Sequence, residues 1–198
     1  MYKLTVIVLF LLLPITVSGN TQRYELLINS TQIFTQTEIN DVAVTYHDYA
    51  KLTTDNTWLA EMSKRLKRFK PNQHERESFL RTVYYEATRA GLDPQLVLSM
   101  IQVESGFRKY AISHAGARGY MQIMPFWKEA IGDENHNLFH LRVNLRYGCM
   151  ILRHYLNKEN GDLFRALGRY NGSLGQATYP QLIFNLWHKT WYYSGKTV

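Results

Sequence analysis

Glu104 is the residue whose type and setting in this chain most suit proton transfer. It is the only carboxylate in the stretch IQVESGFRKYAISHAGARGYMQIMP, residues 101–125. Val97, Met100, Ile101 and Glu104 stand at i, i+3, i+4 and i+7, so on a helix over 94–104 they share one face. The acid therefore leaves the helix on its apolar side. It also falls in the last turn, where the helix dipole presents its negative end. Burial and dipole both disfavour the ionised form and raise the carboxyl pKa. A carboxyl protonated near neutral pH is what a general acid requires. A Glu at a helix end also commonly points to water, and spacing by itself leaves both readings open.

The elements that must position this residue read as helices. Asp93 is suited to cap the helix, Pro94 occupies its first position, and Gly106 ends it. Ahead of it, a helix over 75–90 carries Phe79, Leu80, Val83, Ala87 and Ala90 inward and stops at Gly91. Before that, Thr53 to Thr57 reads as a helix start, and Trp58, Leu59, Met62, Leu66 and Phe69 recur at helical spacing as far as Pro71. Downstream, helices are predicted near 125–131, 144–156, 162–169 and 178–188. Strand signals are weak. The predicted fold class is mainly α.

Composition bounds the partners. The chain has 198 residues, 45 % hydrophobic and 20 % charged, enough apolar mass for one core. Its formal charge of +7 favours an anionic partner, whether nucleic acid, anionic lipid or a carboxylate-rich wall polymer. Lys64, Arg65, Lys67, Arg68 and Lys70 form a basic run that reads either as a solvated helix face or as a binding patch. Met1 to Lys3 is a short basic start, and Leu4 to Leu13 is apolar. Val17 and Gly19 suit a cleavage site before Asn20. Leu4 to Val17 is short of the ~20 residues a membrane span needs. An export signal over 1–19 is thus expected, with the mature chain in the periplasm or cell envelope and no stable membrane insertion. Residues 20–75 read as an N-terminal arm and helix. Residues 76–198 read as the catalytic domain. Asn29-Ser30-Thr31 matches a glycosylation acceptor, a short pattern frequent by chance.

Other constellations carry less. Cys149, the single cysteine, sits in an apolar helical context and reads as a buried small hydrophobe. His136 and His140 are four apart, but HExxH is absent, and no metal or cofactor is expected. Gly172 and Gly175 lack a preceding strand and a phosphate-loop Lys. Trp187, Trp191, Tyr192 and Tyr193 make an aromatic tail suited either to stack on sugars or to pack back on the domain.

Four motifs carry a resemblance. ESGF (104–107), SHAGARGYMQIMP (113–125), NLRYG (144–148) and RYNG (169–172) resemble, in order and spacing, the motif set of the Slt-type lytic transglycosylases, bacterial cell-wall enzymes with a goose-lysozyme-like catalytic domain. The resemblance spans about residues 79–187. It implies a lysozyme-like helical lobe around a sugar-binding groove, with Glu104 as catalytic acid. It implies Ser113 in contact with muramic acid, Gln122 and Met124 lining the groove, Tyr170 bonded to Glu104 or sugar, and Asn171 bracing that loop. Tyr120, Arg169, His140-Leu141 and Ile151 depart from the usual family pattern, and none is a reacting group.

The implied reaction also accounts for a lone acid. Glycosidases ordinarily use two carboxyl groups. Asp133, Glu134 and Asp162 fall in no recognised motif, and the lone acid does not by itself exclude a fold that brings Asp133 close. In peptidoglycan the muramic C6 hydroxyl can serve as an internal nucleophile, giving a 1,6-anhydro ring with no water consumed. The expected substrate is peptidoglycan, with no nucleic-acid partner; a protein partner in the wall or a secretion complex stays open. A water-using goose-type lysozyme and an inactive peptidoglycan-binding module are the alternatives.

Overall fold

The computed structural model describes residues 43–52 and 56–195. The export signal, the polar arm as far as residue 42, the glycosylation-type triplet and residues 53–55 lie outside them. Among the described residues eight α-helices run in order: α1 Tyr46–Ala50, α2 Asn56–Leu66, α3 Gln73–Arg89, α4 Pro94–Ser105, α5 Trp127–Ile131, α6 Leu141–Lys158, α7 Leu163–Asn171 and α8 Thr178–Leu186. A π-helical turn, Trp187–Trp191, continues α8. Extended pairing among the described residues is limited to two isolated antiparallel bridges, Ile112 with Arg118 and Arg118 with Ile123. The fold is mainly α, as the periodicity predicts.

Helix ends follow local chemistry. Asn72 caps α3 by accepting from the Glu75 amide at 2.9 Å. Asp93 caps α4 by accepting from the Gln95 amide at 2.7 Å. Gly106 closes α4 in the left-handed region, φ 57°, where a side chain would be strained. The inward faces of α3 and α4 are those expected: Phe79, Leu80, Val83, Ala87 and Ala90 on and just after one, Leu96, Val97, Met100 and Ile101 on the other, all buried. Helix α6 begins at Leu141, three residues before the predicted start, because the segment after His140 is already helical.

One core unites the described elements. It extends from Val44 and Tyr49 through Trp58 and Met62 of α2 to Ile183 and Trp191. Helices α1 and α2 thus pack on α3 and share the core that supports Glu104.

The basic run of α2 is not one solvated face. Lys70 is buried; its Nζ donates to Glu75 at 3.1 Å and to the Tyr120 hydroxyl at 3.2 Å. Tyr120, which departs from the resembled pattern, thus gives Lys70 a buried polar partner. Arg65 is also engaged, with Glu61 and with two carbonyls near the chain's end. Lys64, Lys67 and Arg68 remain exposed.

Beneath the loop of residues 118–124 a buried amide ties three segments together. Asn144 Oδ1 accepts from the Met121 amide at 2.8 Å. Its Nδ2 donates to the carbonyls of Leu138 at 2.7 Å and Arg118 at 2.9 Å. Gly119 lies against it: a Cβ there would stand 2.5 Å from Asn144 Nδ2 and 2.6 Å from the Leu138 carbonyl oxygen, at φ +77°. The asparagine and the glycine form one joint. Asn144→Ala leaves the Met121 amide unpaired in a buried place, and we expect a loss of about 2–3 kcal/mol in urea unfolding.

Candidate active site

Glu104 sits in the last turn of α4, half-buried, beyond the buried Val97, Met100 and Ile101. Its surroundings press on the carboxyl. Burial pushes its pKa from 4.5 up to about 7, opposed in part by a hydrogen bond from Tyr179. That bond runs from the Tyr179 hydroxyl to Glu104 Oε1 at 2.5 Å. Tyr179 is buried in the first turn of α8, so an element late in the chain closes over the acid. Burial and the charge of Glu104 keep the Tyr179 phenol well above its ordinary range, so it stays a donor.

The other expected residues gather around this point in differing ways. Tyr170, fully buried on α7, donates its hydroxyl to the Met121 carbonyl at 2.8 Å. It is near enough for the Glu104 charge to raise its phenol, after burial. Ser105 Oγ lies 2.8 Å from the Tyr120 carbonyl and 3.1 Å from that of Ile101. The end of α4, the 120–122 loop and α7 are therefore stitched into one wall.

Gln122 is buried and holds a left-handed backbone, φ 50°. Its side-chain amide donates to the carbonyls of Gly119 at 2.9 Å and Ala111 at 3.2 Å. Such a conformation costs a non-glycine residue of order 1 kcal/mol and is found where surrounding structure enforces it. Ser113 closes the neighbouring turn, its hydroxyl accepting from the Ala117 amide at 3.1 Å. Met124 is half-buried against the core, and Asn171 is the half-buried last residue of α7 before Gly172, φ 76°.

No second carboxyl contributes to the proton affinity of Glu104 among the described residues. Asp133 is exposed; a backbone bond from the Asn135 amide at 2.7 Å holds its carboxyl below the usual range. Asp162 is spent capping α7 on the Arg165 amide at 3.0 Å. Glu134 is exposed. His136 Nδ1 lies 2.8 Å from the Tyr147 hydroxyl. Among the described residues no cluster of three or more His, Cys, Asp or Glu has a metal-holding geometry. Cys149 is buried, and burial raises its thiol well above the ordinary value, which keeps it an unreactive thiol.

The family model described as the transglycosylase SLT domain matches residues 82–180, half of the chain. The chain belongs to that family. The match begins in α3 and ends in α8, so it contains Glu104, the 113–124 loop, Tyr170 and Tyr179. The chain is similar to a transglycosylase of Enterobacteria phage PRD1, 33 % identical over 98 residues, which is 50 % of this chain and 36 % of the relative. It is also similar to the membrane-bound lytic murein transglycosylase C of Actinobacillus pleuropneumoniae, 45 % identical over 47 residues, 24 % of this chain and 13 % of the relative. The chain thus spans well under half the length of either relative. Among solved structures, an inactive mutant of the lytic transglycosylase Slt from Pseudomonas aeruginosa aligns with a TM-score of 0.43 and 24 % identity, over 66 % of this chain and 23 % of that one.

Within this SLT domain Tyr179 is the residue that sequence reasoning misses. It is one of 14 tyrosines and lies in none of the four motifs. Only its place in the first turn of a predicted helix marks it. Because its hydrogen bond favours the ionised carboxyl, Tyr179→Phe should raise the Glu104 pKa further. We expect the alkaline limb of a pH–rate profile to move upward and the maximal rate to fall about tenfold as the carboxyl loses its anchor.

Proposed function

We propose that this chain is an exported peptidoglycan lytic transglycosylase that cleaves the β-1,4 bond between MurNAc and GlcNAc. The observation that carries the proposal is the half-buried carboxyl of Glu104, held by Tyr179 with a pKa of about 7 and, among the described residues, no second carboxylate perturbing it. Near neutral pH both protonation states are populated, which suits one group acting first as acid and then as base. Glu104 gives its proton to the glycosidic oxygen as the bond from the MurNAc anomeric carbon breaks. The C6 hydroxyl of the same MurNAc then bonds to that carbon, and its proton passes to the Glu104 carboxylate. The enzyme is restored and the new end is a 1,6-anhydro ring.

In this reading Ser113, Gln122, Met124, Tyr170 and Asn171 line or brace the sugar groove. Tyr170 and Gln122 do so from loop-closing positions, the Tyr170 hydroxyl donating to the Met121 carbonyl and the Gln122 amide to those of Gly119 and Ala111. The layout that fits is a cleaved leader over 1–19, an N-terminal arm and helix over 20–75 whose helical part packs on the catalytic unit, and that unit over 76–198, acting in the periplasm or cell envelope.

Mass spectrometry of muropeptides released from purified peptidoglycan tests the proposal. Anhydro-muropeptides, each one water lighter than the hydrolytic product, are expected. Muropeptides with free reducing ends would identify a hydrolase instead and overturn the internal-nucleophile route.

A further inference from the structure

A second concave site lies away from Glu104. Arg65 Nη1 donates to the carbonyls of Thr190 at 3.0 Å and Tyr192 at 2.7 Å, while its Nε donates to Glu61 at 2.8 Å. These bonds hold the π-helical turn and the residues after it against α2. Between them is an open depression of about 540 Å³, lined by Arg65, Arg68, His188, Lys189, Thr190 and Tyr192. Among the described residues no carboxylate lines it. Arg65 is already paired, but Arg68 and Lys189 are exposed and form no ion pair among the described residues. The Arg68 guanidinium is kept over the Phe69 ring, 4.5 Å from its centroid.

The depression has an aromatic border. His188 is stacked on Phe184 and on Trp187, with interplanar angles of 10° and 24°, and Tyr192 is 57 % exposed. Its place relative to the acid follows from α4. Trp191, in the same turn, donates to Gln102 Oε1 at 2.9 Å, whereas Tyr179 meets Glu104. Two residues along a helix are about 200° apart around its axis. The π-helical turn that borders the depression therefore docks on the flank of α4 away from the Glu104 carboxyl.

We propose that this depression is a second wall-binding site that takes the stem-peptide carboxylates of a peptidoglycan strand other than the one at Glu104. The inference rests on the function proposed above. Two free cations in an acid-free concavity select an anion, and a planar guanidinium pairs well with a carboxylate. The aromatic border offers ring faces for the sugars that carry those peptides. Peptidoglycan bears carboxylates at regular intervals on neighbouring strands, so one contact raises the effective concentration of the other. Arg68 and Lys189 supply the charge, and Arg65 keeps the depression open.

Cosedimentation of the full-length protein with purified sacculi, in a Glu104→Gln background to prevent digestion, tests the site. Arg68→Glu with Lys189→Glu is expected to weaken binding about tenfold, a size suited to two exposed charges. Rising salt should remove most of that difference. On glycan strands stripped of stem peptides by an amidase, which leaves only the lactyl carboxylate on each muramic acid, the gap between the charge-reversed and parent proteins should narrow. With Glu104 restored, the charge-reversed protein should cleave short soluble glycan fragments at the parent rate and sacculi more slowly. Should the soluble rate also fall, Arg68→Gln with Lys189→Gln is used in its place. Equal binding to sacculi by parent and variant overturns the inference, as does an undiminished difference on stripped strands. Those outcomes leave cleavage by the parent protein intact, whereas no release from either substrate by the parent overturns the function itself.

Discussion

Glu104→Gln is expected to slow the release of muropeptides by 10² to 10⁴, roughly the contribution of a general acid. The amide keeps the shape and can still accept from Tyr179, so binding to the wall should persist while turnover stops. Initial rates on purified peptidoglycan, with cosedimentation as the control, separate the two. A variant that retains full rate would remove Glu104 from the reaction.

The same substitution has a signed effect on stability. The folded-state pKa of Glu104 lies above the unfolded value near 4.5 and reaches about 7. The folded protein therefore holds this proton more tightly than the unfolded chain. Below pH 4.5 the carboxyl is protonated in both states and costs nothing. Between about 4.5 and 7 stability falls as pH rises, because the unfolded chain ionises first. Above 7 the loss is complete, at about 2–3 kcal/mol for a shift of this size on a partly open group. Glu104→Gln removes the titration, so the variant should gain on the parent in urea unfolding at pH 8 and show little difference at pH 4. An inactive protein more stable than the active one is the expected signature of an acid kept in an unfavourable place.

Glu86→Ala should be the most damaging single change to the fold. Glu86 is 2 % exposed on α3 and takes both forks of a buried guanidinium: Arg146 Nε donates to Oε2 at 2.5 Å and Nη2 to Oε1 at 2.9 Å. Arg142 adds a third bond to Oε1 at 3.1 Å. A buried ion pair adds little net stability because desolvation offsets most of its attraction. Removing one partner is different, since the other charge stays buried without compensation, at a cost of about 3–5 kcal/mol. Arg146 is itself 3 % exposed, and its Nη1 already lacks a hydrogen-bond partner. Chemical unfolding of Glu86→Ala should show that loss. Adding Arg146→Leu should return part of it, as the orphaned charge is removed. If the double variant is no better than the single one, the charge is not what costs stability.

The sequence conveys the acid's helix well because its signals agree. Asp93, Pro94 and Gly106 mark the ends, and the apolar face at Val97, Met100 and Ile101 leads directly to Glu104. The motifs locate the loop of residues 113–124 and Tyr170. The partners within the site are less legible. Tyr170 meets a backbone carbonyl, and the hydroxyl on Glu104 belongs to Tyr179, because pairing across 75 residues depends on how α8 crosses α4 and not on local pattern. The charges of α2 are misleading for a similar reason. Lys70 and Arg65 look alike in sequence, but one is buried beneath Tyr120 and the other is used up by carbonyls at the chain's far end. Neither the π-helical turn nor the depression beside it has a sequence signature, since both arise from the docking of residues 187–192 on α2.

The distance along the chain between Glu104 and Tyr179 also has a consequence for biosynthesis. Ribosomes deliver the acid well before the hydroxyl that anchors it. Until α8 docks, the α4 segment is too short to hold a stable helix alone in water, and its carboxyl lacks the burial and the hydroxyl that it meets in the folded protein. The enclosed carboxyl with its raised pKa is assembled only when α8 settles on α4. Docking of α8 therefore acts as a built-in delay between making the acid and raising its pKa.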